Sequence, residues 1–122
     1  MDDNASMRRT LRSLLESHDS WQVVGEASDG LEAVAKFDHG KKDVDAIVMD
    51  FQMPNMNGIE AAKRIAFLSP HTPILMITLH NSQQLSEQAR RVGILGICDK
   101  GDIDCVVEGV IAILDNKPYF KN

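Results

Sequence analysis

Hydrophobic residues recur every three or four positions in five stretches of the chain, and short apolar runs lie between these stretches. Apolar positions spaced by three and four residues are typical of an amphipathic helix, whereas a short apolar run between turns is typical of a buried strand. The first stretch predicts a helix from about Ala5 to Ser17, with Asn4 as its N-cap. The apolar positions of the five predicted helices are Met7, Leu11, Leu14 and Leu15; Leu31, Val34, Ala35 and Phe37; Ile59, Ala62, Ile65 and Ala66; Leu85, Ala89 and Val92; and Ile103, Val106, Val107, Val110, Ile111 and Leu114.

Four short segments between these helices predict strands. They are the alternating segment Trp21 to Ala27 and the apolar runs Ala46 to Met49, Ile74 to Ile77 and Gly96 to Cys98. Strands that alternate with helices predict an α/β fold, a doubly wound parallel sheet with right-handed crossovers and helices on both faces. Ligands of such sheets bind beyond the carboxyl ends of the strands.

Polar residues stand at or just after the ends of three of the predicted strands. Asp50 ends one apolar run, Thr78 ends the next, and Lys100 follows the last. Because the carboxyl ends of parallel strands share one edge of a sheet, the fold would gather an acid, a hydroxyl and an amine in one crevice. These residues are the candidate functional site.

Composition narrows the classes of function. The chain has 122 residues, 13 of them Lys or Arg and 18 Asp or Glu, for a net charge of −5. We expect one domain spanning residues 1–122, with no direct binding of nucleic acid or anionic membranes by this segment. No apolar run approaches the roughly 20 residues of a membrane helix, and the acidic start does not resemble a signal peptide, so a soluble cytoplasmic protein is expected. Cys98 and Cys105 match no zinc or redox spacing and are expected to be buried free thiols.

The polar residues also stand in a recognisable order. Asp2-Asp3 comes first, then Asp50-Phe51-Gln52-Met53-Pro54-Asn55-Met56-Asn57-Gly58, then Thr78 and Lys100. Across essentially the whole chain this order resembles the receiver (phosphoacceptor) domain of two-component response regulators. The resemblance implies a flavodoxin-like fold with strand order 2-1-3-4-5. The end of the chain is similar to receivers that precede a helix-turn-helix DNA-binding domain, so such a domain is possible in a longer natural chain.

A carboxylate at the end of a rigid buried strand is suited to attack phosphorus, and Asp50 is therefore the candidate phosphoacceptor. A phosphoryl donor that approaches carboxylates calls for a hard cation such as Mg²⁺, and Asp3 and Asp50 suit its coordination. The resemblance adds the backbone carbonyl of Gln52 as a further ligand and Asp2 as the residue that orients metal-bound water.

The hydroxyl and the amine would bind the phosphoryl oxygens. Lys100 offers a point charge, and Thr78 offers a hydrogen bond. The resemblance implies that the surface from Leu79 to Ile97 then changes to control an output such as transcription, and that His80 affects hydrolysis. It also implies a sensor histidine kinase or phosphotransfer protein as partner. Catalysis would be limited to Mg²⁺-dependent self-phosphorylation and autodephosphorylation, so we do not expect an enzyme.

Three positions depart from the family pattern. Receivers begin with an apolar strand before the acidic pair, but only Met1 stands there, so we expect the first central strand to be absent. We therefore expect an open slot, lower stability, a weakened metal site, and a dimer or strand-completing partner. A shortened natural protein is one explanation. Ile97 stands where receivers carry an aromatic residue, and Gly101 stands where proline is common.

Two other interpretations of the sequence concern different functions. An aspartate-nucleophile phosphatase would carry a second acid two residues after its nucleophile, where this chain has Gln52. A phosphorylation-independent interaction module would instead act by protein contact through the surface from Leu79 to Ile97.

Overall fold

The computed structural model describes residues 1, 4–18, 21–23, 25–38, 44–53, 56–79 and 81–120, with backbone only for residues 37 and 38. This part of the chain forms five helices and four strands. The helices are α1 (Ala5–Glu16), α2 (Gly30–Asp38), α3 (Gly58–Leu68), α4 (Gln83–Arg91) and α5 (Ile103–Leu114); the strands are β1 (Ile47–Asp50), β2 (Ile74–Thr78), β3 (Gly96–Asp99) and β4 (Tyr119–Phe120).

The strands form one parallel sheet in the order β1-β2-β3-β4. All five residues of β2 are buried, and its alternate side chains point to opposite faces of the sheet. Ile74 and Met76 belong to a core cluster that includes residues of α2, α3 and α4. Leu75 and Ile77 belong to a second cluster, which includes residues of α1 and α5. The predicted α/β sheet with helices on both faces is confirmed.

Local sequence sets the starts of four helices. The side chains of Asn4, Asn57, Ser82 and Asp102 each accept hydrogen bonds from backbone amides in the first turn of the helix that follows. One of these residues, Asn4, is the cap that the sequence predicted. Within the described residues, no helix combines the length and the apolar character needed to cross a bilayer.

The structure differs from the sequence prediction at two segments. The described residues of the segment Trp21 to Ala27, namely 21–23 and 25–27, form no strand, so that prediction is wrong. A strand needs a neighbouring strand for its backbone hydrogen bonds, and among the described residues β1 is an edge strand with no strand between it and this segment. Conversely, Tyr119–Phe120 forms the edge strand β4 beside Gly96 and Ile97.

Met1 is hydrogen-bonded to β1 in the way that one residue of a neighbouring strand would be. Its amino group donates to the Val48 carbonyl oxygen at 2.8 Å, and the Asp50 amide donates to the Met1 carbonyl oxygen at 2.9 Å. These two bonds have the pattern of a parallel pair opposite Met49. Residues before this position would therefore run beside the first half of β1.

A cavity of about 340 Å³ lies next to Met1, between β1 and the segment that contains Trp21. Most of its exposed lining is apolar. It occupies the place of the expected open slot. Its apolar lining includes Leu11, Leu15, Trp21, Val48, Val110 and Leu114.

Candidate functional site

Asp50 is the last residue of β1, and its side chain is only 3% exposed. β1 pairs with β2 along its full length, from Ile47 opposite Ile74 to Asp50 opposite Ile77. The pairing continues one step further, because the Phe51 amide donates to the Ile77 carbonyl oxygen at 3.0 Å. The carboxylate is therefore carried by backbone that is fixed on both sides of it.

Both oxygens of the Asp50 carboxylate accept hydrogen bonds. Lys100 Nζ lies 2.8 Å from Oδ2, and the Gln52 amide nitrogen lies 3.3 Å from Oδ1. A buried charge is costly unless it is paired and hydrogen-bonded, and here the pair supplies that compensation. The Lys100 side chain is itself only 11% exposed. Water therefore screens this ion pair less than it screens a surface pair.

Backbone hydrogen bonds hold Lys100 in place. Its amide donates to the Thr78 carbonyl oxygen at 2.8 Å, which ties the residue after β3 to the end of β2. The turn that follows is closed by the Asp99 side chain, which accepts from the Gly101 amide at 2.9 Å. Asp102 then caps α5. The lysine thus stands between a strand end and a capped helix.

Thr78 ends β2 and is 2% exposed. It lies opposite Asp99 of β3, and it is one residue beyond Ile77, the register partner of Asp50. The structure therefore brings Asp50, Thr78 and Lys100 to the same edge of the sheet, as the strand pattern predicted.

Gly58 packs against the backbone that carries Asp50. A Cβ atom at this position would lie 2.6 Å from the Asp50 carbonyl oxygen and 2.9 Å from the Phe51 Cα. The Gly58 amide also donates to the Phe51 carbonyl oxygen at 2.8 Å. The sequence indicated a turn at this glycine, but not its close approach to the site. That approach depends on how α3 packs, which local spacing does not reveal.

Several candidate residues lie outside the described part of the chain. They are Asp2, Asp3, Pro54, Asn55 and His80. Among the residues that the structure does describe, no three His, Cys, Asp or Glu side chains are grouped closely enough to hold a metal ion. The contact of the Met1 backbone with Asp50 was not predicted, because only long-range strand pairing reveals it.

Comparison with known proteins decides the family. Residues 1–107 match the family model described as the response regulator receiver domain. The chain belongs to this family. It is therefore a receiver domain of two-component response regulators, and the fold and the family predicted from its residues are both confirmed.

Relatives and solved structures agree with this assignment. The chain is 36% identical over 97 residues to the transcriptional regulatory protein YdfI of Bacillus subtilis, covering 79% of this chain and 44% of YdfI. It matches the response regulator domain of Thermotoga maritima CheB at 32% identity with a TM-score of 0.85, covering 96% of this chain and 94% of that domain. A chain of the CheX–CheY–BeF3–Mg²⁺ complex from Borrelia burgdorferi matches at 25% identity with a TM-score of 0.85, covering 92% of this chain and 84% of that one.

The receiver domain spans only part of the relatives' length. The chain covers 22% of the related protein-glutamate methylesterase/protein-glutamine glutaminase of Thermotoga maritima and 45% of the related response regulator UvrY of Escherichia coli.

Proposed function

We propose that this receiver is a phosphorylation-dependent switch in which Asp50 accepts a phosphoryl group from a sensor histidine kinase or a phosphotransfer protein. The observation that carries the proposal is the buried Asp50 carboxylate at the end of β1, with Lys100 Nζ 2.8 Å away. A rigid strand end can present a nucleophile in a fixed orientation. The adjacent ammonium group can offset negative charge that arrives with a phosphoryl group.

In the proposed phosphoryl transfer, the Asp50 carboxylate is the nucleophile. A carboxylate oxygen of Asp50 attacks the phosphorus of a phosphohistidine, the bond from phosphorus to the histidine nitrogen breaks, and an aspartyl phosphate forms. Lys100 then pairs with a phosphoryl oxygen instead of the free carboxylate, and the Thr78 hydroxyl donates to another phosphoryl oxygen. Catalysis beyond self-phosphorylation and autodephosphorylation is not part of the proposal.

The donor atoms at this site suit Mg²⁺, which binds hard oxygen ligands. The described candidates are the Asp50 carboxylate and the backbone carbonyl of Gln52. Asp2 and Asp3 directly follow Met1 in sequence, and the Met1 carbonyl oxygen accepts from the Asp50 amide. We assign Asp3 as a third ligand and Asp2 to the orientation of bound water. When bound, Mg²⁺ would offset the repulsion between the carboxylates and an incoming phosphoryl group.

The proposed output surface runs from Leu79 to Ile97. Thr78 links the site to this surface, because its carbonyl oxygen holds the Lys100 amide and its chain neighbour Leu79 is 58% exposed. A phosphate that draws on Lys100 and Thr78 would therefore act at the start of the segment that leads into α4. YdfI is named a transcriptional regulatory protein, which supports transcription as the output. We propose that a DNA-binding domain in a longer natural chain delivers this output in the cytoplasm.

We further propose that residues 1–122 form one receiver domain whose open edge at β1 is completed by an extended strand, from a second copy or another partner. The support is the apolar cavity beside β1 and the parallel pairing of Met1 with that strand. A strand in this cavity would bury apolar side chains and pair with exposed backbone groups.

Phosphorylation by acetyl phosphate and Mg²⁺ tests the main proposal. The wild-type protein, Asp50→Asn and Asp104→Asn would be compared by intact mass and by phosphate-affinity electrophoresis. Asp104 is the matched control, because it is an exposed acid on α5. We expect one added phosphoryl group on the wild type and on Asp104→Asn, and none on Asp50→Asn.

An unmodified wild type, or equal modification of Asp50→Asn, would contradict the proposal. An unmodified wild type would instead favour a receiver-like module that acts by protein contact alone.

A further inference from the structure

The two cysteines of the chain meet where β3 packs against α5. Cys98 lies in β3 and Cys105 lies in the first turn of α5. Their Sγ atoms are 2.8 Å apart, and the Cys98 Sγ is also 3.1 Å from the Cys105 carbonyl oxygen. Both are buried and neither forms a disulfide in the structure, and the chain contains no other cysteine.

This distance is close to that of a covalent bond. A disulfide has a sulfur–sulfur distance of about 2.05 Å, so the two sulfur atoms would need to approach by only about 0.75 Å. The residues between them form the turn that Asp99 and the Asp102 cap organise. A bond between the thiols would therefore close a short ring within existing structure, without joining distant parts of the fold.

The geometry points to Cys98 and Cys105 as a redox modification site that forms a reversible intramolecular disulfide when the protein meets a peroxide. Cys105 is 8% exposed and Cys98 is 1% exposed, so the oxidant reaches Cys105 first. Neither residue takes part in the proposed phosphoryl transfer. The site results from the packing of β3 against α5 in this chain.

The chemistry is a two-electron oxidation. The Cys105 sulfur, as thiolate, attacks one oxygen of hydrogen peroxide, the oxygen–oxygen bond breaks, water forms, and Cys105 becomes a sulfenic acid. The Cys98 sulfur then attacks the Cys105 sulfur, the sulfur–oxygen bond breaks, and a second water leaves as the disulfide forms. Two thiol hydrogens are lost, and one peroxide is reduced to two waters.

The ring would enclose Lys100. It contains residues 98–105, and therefore also the backbone of Lys100, whose amide is bonded to Thr78. Closing an eight-residue loop lowers the unfolding equilibrium constant by up to about 60-fold in the chain-entropy account. Oxidation would thus stiffen the turn that carries the site lysine, and hydrogen exchange at the Gly101 and Asp102 amides would slow.

Thiol counting on the full wild-type chain tests the inference. The protein would be treated with hydrogen peroxide, denatured, alkylated with N-ethylmaleimide and weighed as an intact mass, with and without later reduction by dithiothreitol. After peroxide treatment we expect neither thiol to be alkylated, and we expect the mass of the chain to be lower by two hydrogen atoms than that of the untreated, unalkylated chain. Reduction by dithiothreitol should restore both thiols. Non-reducing electrophoresis should show a monomer.

Single substitutions supply matched controls. Cys98→Ser keeps Cys105 alone, and peroxide should leave a sulfenic acid there that dimedone captures. Cys105→Ser should resist oxidation longer, because Cys98 is less exposed.

Wild type that keeps both thiols, forms only intermolecular disulfides, or gains oxygen atoms without forming a ring would overturn the inference. Wild-type data decide the outcome even if a variant fails to fold. No phosphoryl donor is present, so this result is independent of the proposed phosphoryl transfer.

Discussion

Lys100 and Asp50 form an ion pair that is nearly closed to water, with side chains 11% and 3% exposed. Removing one partner of such a pair leaves the other charge buried without its counter-ion, which is more costly than losing a surface contact. Any change at Lys100 therefore acts on stability as well as on phosphoryl binding. A measurement of activity alone would not separate these two effects.

Lys100→Met should lower the free energy of unfolding by about 3 kcal/mol, because Asp50 is left buried and charged. Urea denaturation of the wild type, both single variants and the double variant with Asp50→Asn measures this. The cost of Lys100→Met should be much smaller when Asp50 is already Asn. Lys117→Met is the control, since Lys117 is 72% exposed and its loss should change stability by less than about 0.5 kcal/mol. An equal cost of Lys100→Met in both backgrounds would rule out a stabilising pair.

At the scale of elements, helix α3 can start where it does because its first residue has no side chain. The packing of α3 onto the end of β1 leaves 2.6 Å between a Cβ at Gly58 and the Asp50 carbonyl oxygen. Real side chains do not reach this distance from backbone, so either α3 or the Asp50 backbone would have to move. The position of the candidate nucleophile and the start of α3 are thus coupled.

Gly58→Ala should lower the free energy of unfolding by about 1–3 kcal/mol, even though alanine is the better helix former. Thermal or urea unfolding measures the effect. Gly25→Ala is the control, because a Cβ there lies within 4 Å of no described atom outside its chain neighbours and should leave stability nearly unchanged. A neutral Gly58→Ala would show that α3 does not constrain the Asp50 backbone.

The edge strand β4 contains Tyr119, whose phenol titrates at alkaline pH. Burial, followed by a hydrogen bond to Glu108, raises the pKa of Tyr119 above its ordinary value. The neutral phenol is therefore favoured in the folded state. Its contribution to stability is complete below the unfolded pKa of about 10 and is lost as pH rises through the folded pKa.

Wild type should therefore lose stability relative to Tyr119→Phe as the pH rises above about 10. Chemical denaturation of both proteins at several alkaline pH values measures the difference, and other titrating groups cancel in the comparison. A constant difference across this pH range would contradict the role of Tyr119.

At the scale of the whole molecule, the sequence predicted those helices and strands whose own hydrophobic pattern is sufficient to identify them. The periodicity of the run from Ile103 to Leu114 specified α5, and the apolar run from Ile74 specified β2. The segment from Trp21 failed as a strand because a strand needs a paired neighbour, and the described residues form no strand between this segment and β1. Tyr119–Phe120 was missed because two residues after a proline carry no periodicity.

The residues of the candidate site were likewise predictable only where a local pattern in the sequence identifies them. Asp50, Thr78 and Lys100 were foreseeable, because parallel strands bring their carboxyl ends together. The close approach of Gly58 and the hydrogen bonds of Met1 depend on packing between distant segments. Neither leaves a local signal in the sequence.

The cavity beside β1 leads to a prediction for the entire fold. Four apolar residues added before Met1, in the register that Met1 already holds opposite Met49, should raise the free energy of unfolding by about 2 kcal/mol, as burial outweighs ordering. Trp21 lines the cavity, so its fluorescence should also change. A Gly/Ser extension of equal length is the control. Equal stability of the two extended proteins would mean that no strand enters the cavity.

The central claim is that the carboxylate of Asp50 carries the phosphoryl group. The most direct measurement is chemical mapping: the wild-type chain is treated with acetyl phosphate and Mg²⁺, reduced with borohydride, digested and sequenced by mass spectrometry. Borohydride converts an aspartyl phosphate to homoserine at the residue that held it. We predict homoserine at position 50 and unmodified aspartate at Asp99 and Asp102, the nearest described acids along the chain from Lys100. Homoserine at another acid, or at none, would contradict the account.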